Sequence, residues 1–339
     1  MTSKRRGMKV EHRARMTPPT ATHEVQSIVS GLYEQYAALH EGEVATYIPE
    51  LVKADPDKFG VSVVSTEGRV FEAGDCEQPF TIQSVSKPFT FGIALEELGH
   101  SRVSTYVGVE PSGDAFNSIE LQAGSNRPFN PMVNSGAIAI TALLHAHYGE
   151  ATIGCIVERM SMLAGRTLTI DDDVYASERR TGHRNRAIAH LLLNFGMLHA
   201  EAEAALDVYF KQCAIQVTCR DLAMMAASLS NMGRNPITGQ IAYDPRAVKD
   251  MLSIMFTCGM YDYSGQWAYR VGVPAKSGVG GGILAVVNRQ LGIGTYSPRL
   301  DKFGNSRRGV EVCVQLAARL GLHVFDCLNS GSSYLSAIL

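Results

Sequence analysis

Gln83-Ser84-Val85-Ser86-Lys87 places a hydroxyl and an amine three positions apart, at the start of what reads as a helix running to about Leu98. Residues three apart share one helix face, so Ser84 and Lys87 lie a turn from each other. Serine is a weak nucleophile until a base takes its proton. A lysine can be that base once burial lowers its pKa, because desolvation penalises the ammonium. The positive end of the helix dipole favours an alkoxide forming there. Pro88 fits, since first-turn N–H groups lack intrahelical partners. Alone, the pattern more often describes a capping serine followed by a surface lysine. Ser86, next to Lys87, points elsewhere and is the poorer nucleophile.

Three further stretches supply what such chemistry needs. Lys276-Ser277-Gly278 runs into Val279-Gly280-Gly281-Gly282, where glycines let a substrate lie against a strand and a backbone N–H can face an oxyanion. A phosphate-cradling loop is the competing reading, but P-loop spacing is absent and Lys276 precedes the glycines. Cys258-Gly259-Met260-Tyr261-Asp262-Tyr263-Ser264-Gly265 is a turn-like loop crowded with phenols, in which a tyrosine can relay protons. Asn130-Pro131-Met132-Val133-Asn134-Ser135-Gly136-Ala137 leads into a helix and offers amides. The histidines, among them His145, His147, His190 and His199, are scattered and lack the spacing of a zinc motif. Met224, Met225 and Met232 read as core filler.

The elements that must hold these residues follow from periodicity. Glu24 to His40 carries Val25, Ile28, Val29, Leu32 and Tyr36 at helical spacing. Gly60–Ser65, a turn at Thr66-Glu67-Gly68 and Arg69–Gly74 form a hairpin signature. Helical patterns follow at Asn134–His147, Arg186–Leu193, Ala202–Phe210 and Leu222–Met232, the last stopping at Gly233 as a C′ residue. Asp244-Pro245 pairs an N-cap with proline at N1. Strands return at 282–287 and 291–296 around Asn288-Arg289-Gln290, and Gly309–Leu320 closes as an amphipathic helix. Strands at both ends around a helical middle predict an α/β domain built from 24–98 and 240–339, a helical subdomain over 99–239, and a basic tail over 1–23.

Composition narrows the function classes. The 339 residues are 45% hydrophobic with a net charge of -2, which predicts a large core and argues against a nucleic-acid partner. No run of eighteen or more apolar residues is present, so no membrane span is expected. Lys4, Arg5, Arg6, Lys9, Arg13 and Arg15 lead into no apolar signal core, which reads as a solvated tail or an over-long start ahead of Met16. The seven cysteines show no short zinc spacing and read as reduced thiols of a cytoplasmic protein.

Taken together the blocks become specific. Tyr47-Ile48-Pro49, Gln83-Ser84 with Lys87-Pro88, Glu110-Pro111-Ser112-Gly113, Asn130–Ala137, Ser177-Glu178-Arg179, Arg184-Asn185, Cys258–Tyr261 and Ala275–Val279 occur in this order. With them the chain resembles the serine-dependent glutaminases, relatives of the β-lactamases, from about Tyr47 to the final helix. Lys-Ser-Gly stands where the penicillin-recognising enzymes carry Lys-Thr-Gly. The resemblance implies a serine β-lactamase/DD-peptidase-like α/β fold, an antiparallel sheet flanked by helices with an inserted helical subdomain. It implies Ser84 as nucleophile, Lys87 as base, Tyr261 serving the leaving ammonia and the hydrolytic water, and the N–H groups of Ser84 and Val279 as oxyanion hole. Tyr47, Gln83, Asn134, Glu178, Asn185 and Tyr209 would hold the amino acid.

That shell is chemically apt for L-glutamine. Glu178 can bind the α-ammonium, and Asn134, Asn185 and Tyr209 can donate to the α-carboxylate. The implied reaction needs no metal or organic cofactor, and the family's members are usually homo-oligomers, so a homodimer or homotetramer is expected. Arg180 and His183 depart from the family, where an acidic residue often stands. A penicillin-binding or β-lactamase-type hydrolase predicts an export signal and a Ser-Asp-Asn element, and neither is found. A non-catalytic glutamine sensor would lose the chemistry, yet Ser84, Lys87 and Tyr261 are all present. Asparagine, one methylene shorter, is the nearest alternative substrate.

Overall fold

The structure, a computed structural model, describes residues 18–113, 118–198 and 201–326. In chain order its helices and strands are α1 Pro18–Ala37, β1 Gly60–Ser65, β2 Val70–Gly74, β3 Phe80–Thr81, α2 Lys87–Leu98, α3 His100–Tyr106, α4 Asn134–Tyr148, α5 Thr152–Ala164, α6 Asp172–Thr181, α7 His183–Asn194, α8 Ala202–Cys213, β4 Gln216–Val217, α9 Cys219–Ser230, α10 Pro245–Cys258, α11 Ser264–Arg270, β5 Ala275–Ser277, β6 Gly282–Val287, β7 Leu291–Tyr296 and α12 Arg307–Leu320.

Five strands form one sheet in the order β2-β1-β7-β6-β5, antiparallel throughout. Its central strands are buried on both faces, and the side chains alternate between two cores. Ile283, Ala285 and Val287 of β6 face a core shared with Val29, Leu32, Val312 and Leu316 of α1 and α12. Leu284 and Val286 face the other way, into the larger core of helices α2, α4, α5, α7, α8, α9 and α10. On that side α9 lies directly against β7. A Cβ at Gly292 would fall 2.1 Å from the Ala227 nitrogen, and one at Gly294 would fall 2.3 Å from the Cys219 carbonyl. Ala223, Ala226 and Ala227 keep the helix side of the contact equally small.

The flanking hairpins form as their turn residues dictate. Gly68 (φ +80°) closes β1–β2, and Arg289 (φ +62°) occupies the left-handed position between β6 and β7. Asp244 caps α10, its carboxylate accepting from the Arg246 N–H at 2.8 Å. Several boundaries differ from the sequence reading, most by a few residues. α1 begins at Pro18 instead of Glu24, while residues 1–17 of the predicted tail lie outside the described residues, as do His199 and Cys327. α9 starts earlier than Leu222, because Thr218 and Asp221 form a capping box ahead of the apolar run. It also ends earlier, at Ser230, with Met232 (φ +59°) already left-handed before Gly233 (φ +86°). The phenol-rich stretch after Cys258 is a 3₁₀ turn, Tyr261–Tyr263, running straight into α11.

Candidate active site

The small β3–β4 pair and a bond from the Ile82 N–H to the Ile215 carbonyl (2.8 Å) fix the chain entering the Ser84 turn. Gln83–Ser86 is a 3₁₀ turn, not the first turn of an α-helix. Because 3₁₀ geometry places i and i+3 in line, it still stacks Ser84 over Lys87. Gln83 takes up a left-handed backbone (φ +49°), a conformation worth about 1–3 kcal/mol of strain for a non-glycine residue. Its side chain holds it there, donating to Glu178 Oε1 (2.7 Å) and Thr81 Oγ1 (3.2 Å). Ser86 turns away, its hydroxyl donating to the Gln83 carbonyl (2.7 Å) and accepting from Gln212 (3.1 Å).

Lys87 is fully enclosed, and its Nζ donates to Asn134 Oδ1 (2.7 Å) and the Met132 carbonyl (3.1 Å). Burial lowers its pKa to about 8, with Cys213 and Glu178 pulling it upward. Asn134 in turn donates to Asn185 Oδ1 (3.0 Å), so one polar chain runs from the amine to α7. Asn134 is therefore occupied on both amide atoms, and sequence reasoning, which saw it only as a donor to substrate, missed this linking role. The entry to α4 is braced by Asn130, whose Oδ1 accepts from the N–H groups of Met132 (2.9 Å) and Val133 (3.2 Å). Glu178, on α6, is buried, and burial raises its carboxyl to about 8 against the opposing pull of the Gln83 hydrogen bond and Lys87.

The second wall comes from the C-terminal half. Tyr261 also has a left-handed backbone (φ +56°). Ser264 secures the turn by accepting from the Met260 N–H (3.0 Å) and donating to the Tyr261 carbonyl (2.8 Å). The Tyr261 hydroxyl donates to the Ser277 carbonyl (2.9 Å), and Ser84 is its neighbour. Burial pushes this phenol up, and the Ser84 hydroxyl pulls it back down. Gly259 lets the turn press onto β5, where a Cβ would lie 1.7 Å from the Ala275 carbonyl. Gly278 and Gly280 do the same on either side of Val279. Their added Cβ atoms would sit 2.9 Å from the Ile82 carbonyl and 2.5 Å from the Thr81 carbonyl. Val279 is thereby carried against the Ser84 turn, and it packs with Tyr261, Ala45, Ile48 and Leu51.

Tyr47 and Tyr209 complete the cluster. Tyr47 is 56% exposed as a whole residue. Its hydroxyl end is enclosed: burial raises its pKa well above the ordinary value, and Tyr261 and Glu178 are electrostatic neighbours. Tyr209 is likewise raised by burial, next to Cys213 and Glu178. The fold thus gathers every residue that the resemblance assigned. It adds two more. Lys276 is wholly buried, with Nζ on the Ser277 carbonyl (2.6 Å) and 4.3 Å from the Tyr261 ring centroid. Burial and the nearby Lys87 push its pKa well down. Its motif was visible in sequence, its place beneath Tyr261 was not. Cys213, one turn beyond Tyr209 on α8, is buried beside Glu178 and Lys87, which carried no sequence signal. Arg180 and His183 are exposed. Among the described residues no group of His, Cys, Asp and Glu is gathered to hold a metal ion.

Known proteins resemble this chain in sequence and in fold. The glutaminase family model matches residues 42–325. A glutaminase of Trichormus variabilis is 54% identical over 303 residues, covering 89% of this chain and 91% of that protein. A glutaminase of Microcystis aeruginosa is 55% identical over 295 residues, 87% of each chain. Among solved structures, Mglu in its glutamate form superposes with a TM-score of 0.85 at 43% identity, over 90% of this chain and 70% of that one. The probable glutaminase of Bacillus subtilis superposes with a TM-score of 0.80 at 36% identity, over 90% and 98%. The enclosed Ser84–Lys87 turn therefore sits in a fold of the β-lactamase-like type, and the chain belongs to the glutaminase family, hydrolases that act on the side-chain amide of glutamine.

Proposed function

We propose that this enzyme hydrolyses L-glutamine to L-glutamate and ammonia through a γ-glutamyl ester on Ser84. The observation that carries the scheme is a buried amine of depressed pKa one 3₁₀ turn after Ser84, with the Tyr261 hydroxyl as the neighbour of Ser84 from the other wall. Lys87, when neutral, takes the Ser84 proton as its oxygen attacks the γ-amide carbon. The N–H groups of Ser84 and Val279 face the oxyanion, each contributing about 3–4 kcal/mol in comparable sites. Collapse breaks the C–N bond, and Tyr261 gives the departing nitrogen its proton. Water, deprotonated by the same tyrosine or lysine, then cleaves the ester. Glu178 binds the substrate ammonium, while Asn185 and Tyr209 bind its carboxylate and Tyr47 closes the mouth.

The scheme uses no metal or organic cofactor. The six described cysteines are free thiols, which supports a reducing, cytoplasmic setting. A homodimer or homotetramer is proposed from the family resemblance, and light scattering in solution tests it. Ammonia release from L-glutamine and L-asparagine, with Ser84→Ala measured alongside, tests the chemistry. Turnover of glutamine that vanishes in the variant, with a γ-glutamyl mass adduct on wild-type Ser84 under acid quench, is the expected result. Turnover surviving in the variant moves the nucleophile elsewhere.

A further inference from the structure

Arg308 is the one fully buried arginine among the described residues, and nothing in the chemistry above uses it. It stands in the first turn of α12, and its guanidinium lies 5.5 Å over the Phe59 ring. Its nearest carboxylate oxygen, on Asp57, is 4.0 Å away and belongs to a largely exposed side chain. The charge is met by main-chain oxygens instead. Nε donates to the Leu39 carbonyl (2.8 Å), and Nη1 donates to the Asp57 carbonyl (3.1 Å). Those two carbonyls are the two ends of one segment.

Residues 39–58 contain a single 3₁₀ turn, Pro49–Lys53, and a lone bridge from Glu43 to Leu300. The segment crosses the site. Ala45, Ile48 and Leu51 pack with Tyr261 and Val279, and Tyr47, in the same stretch, has Tyr261 and Glu178 as electrostatic neighbours. A segment with so little internal structure takes its position from where its ends are held. Burying a cation is costly, and only a planar fork of donors grips two separate strands of backbone at once. A leucine or methionine would fill the same space without that cost.

We infer that Arg308 is a positioning residue for glutamine binding: by clamping both ends of residues 39–58, it sets Tyr47 over the pocket. Arg299 holds the same segment more weakly and from a less buried place, through the Gly42 carbonyl (3.4 Å) and Asp57 Oδ1 (3.1 Å). The inference rests on the proposed role of Tyr47, which Tyr47→Phe tests by itself.

Steady-state kinetics on Arg308→Lys, Arg308→Met, Tyr47→Phe and the Tyr47→Phe/Arg308→Lys double variant decide the matter. Lysine restores the charge but reaches only one end of the segment. Both Arg308 variants are expected to raise KM for glutamine by about tenfold while kcat stays within about threefold. In the double variant the Arg308 change should add almost nothing to the Tyr47 effect, the signature of two residues acting through one contact. Equal loss of kcat in the folded Arg308→Lys protein, an unchanged KM, or a fully additive double variant overturns the inference. If Arg308→Met does not fold, Arg299→Met supplies the second loosening of the same segment. It must raise KM in the same direction by a smaller factor, again with kcat nearly unchanged; an unchanged KM there overturns the inference. A Tyr47→Phe enzyme with normal KM sinks the Tyr47 role and with it the claim that Arg308 acts through Tyr47. A raised KM in Tyr47→Phe beside an unchanged KM in the Arg308 variants sinks the Arg308 inference alone.

Discussion

The strongest prediction concerns the proton inventory of Lys87 and Glu178. Burial takes the lysine from an ordinary 10.5 to about 8, a difference of about 3 kcal/mol at roughly 1.4 kcal/mol per unit. At pH 7 about one molecule in ten then carries the neutral amine, against about one in three thousand for an unperturbed lysine. Glu178, raised from 4.5 to about 8, must by contrast be ionised to receive the substrate ammonium. The free enzyme is therefore competent only with both protons gone. For kcat/KM, activity should climb toward pH 8 with a slope approaching two, then level off. For kcat the slope should be one, because bound ammonium keeps Glu178 ionised throughout. Ammonia release at saturating and sub-saturating glutamine between pH 5.5 and 9.5 separates the two curves. A kcat limb that keeps rising to pH 10 would refute a neutral Lys87. Equal slopes in both curves would refute the raised Glu178.

Other perturbations follow from the same geometry. Glu178→Gln keeps an acceptor for Gln83 but removes the buried charge. A carboxyl raised on folding costs stability from the unfolded pKa upward, so the variant should melt higher than wild type at pH 8.5 and no differently below about pH 4.5, while losing glutamine turnover. Tyr261→Phe should slow glutamine hydrolysis on the order of 10²–10⁴-fold. The same variant should spare the acylation burst of a γ-glutamyl aryl ester, whose leaving group needs no proton; an equal loss in that burst would remove the phenol from the protonation of the leaving group. Gly259→Ala sets a methyl 1.7 Å from the Ala275 carbonyl and should cost about 3 kcal/mol or more, read as a lowered denaturation midpoint.

The arrangement proposed to carry the chemistry was legible where it depends on residue type and short spacing. Ser84 and Lys87 declare themselves because three residues make one turn, whether that turn is α or 3₁₀. The late hairpin was legible from its run of apolar residues around Asn288-Arg289-Gln290. What the sequence alone does not show is what approaches from far along the chain. Gln83 meets Glu178 and Lys87 meets Asn134 across long loops, so only the resemblance joined them beforehand. Lys276 beneath Tyr261, Cys213 behind Glu178 and Arg308 under residues 39–58 are matters of packing, and no periodicity announces them. The left-handed backbones of Gln83 and Tyr261 run against residue preference, as expected where contacts from a distance over-determine the chain.

The seam between α9 and β7 carries a mechanical consequence. With Gly292 and Gly294 opposite Ala223 and Ala227, helix and strand meet backbone to backbone. A lubricating layer of long side chains, which lets packed elements slide by small rotamer changes, is missing there. Any shear between the sheet and the helical layer would strip contacts along the whole seam at once, instead of exchanging them one by one. The two sides of the candidate site are thus carried on a common chassis, and the spacing between the Ser84 and Tyr261 turns is set at folding.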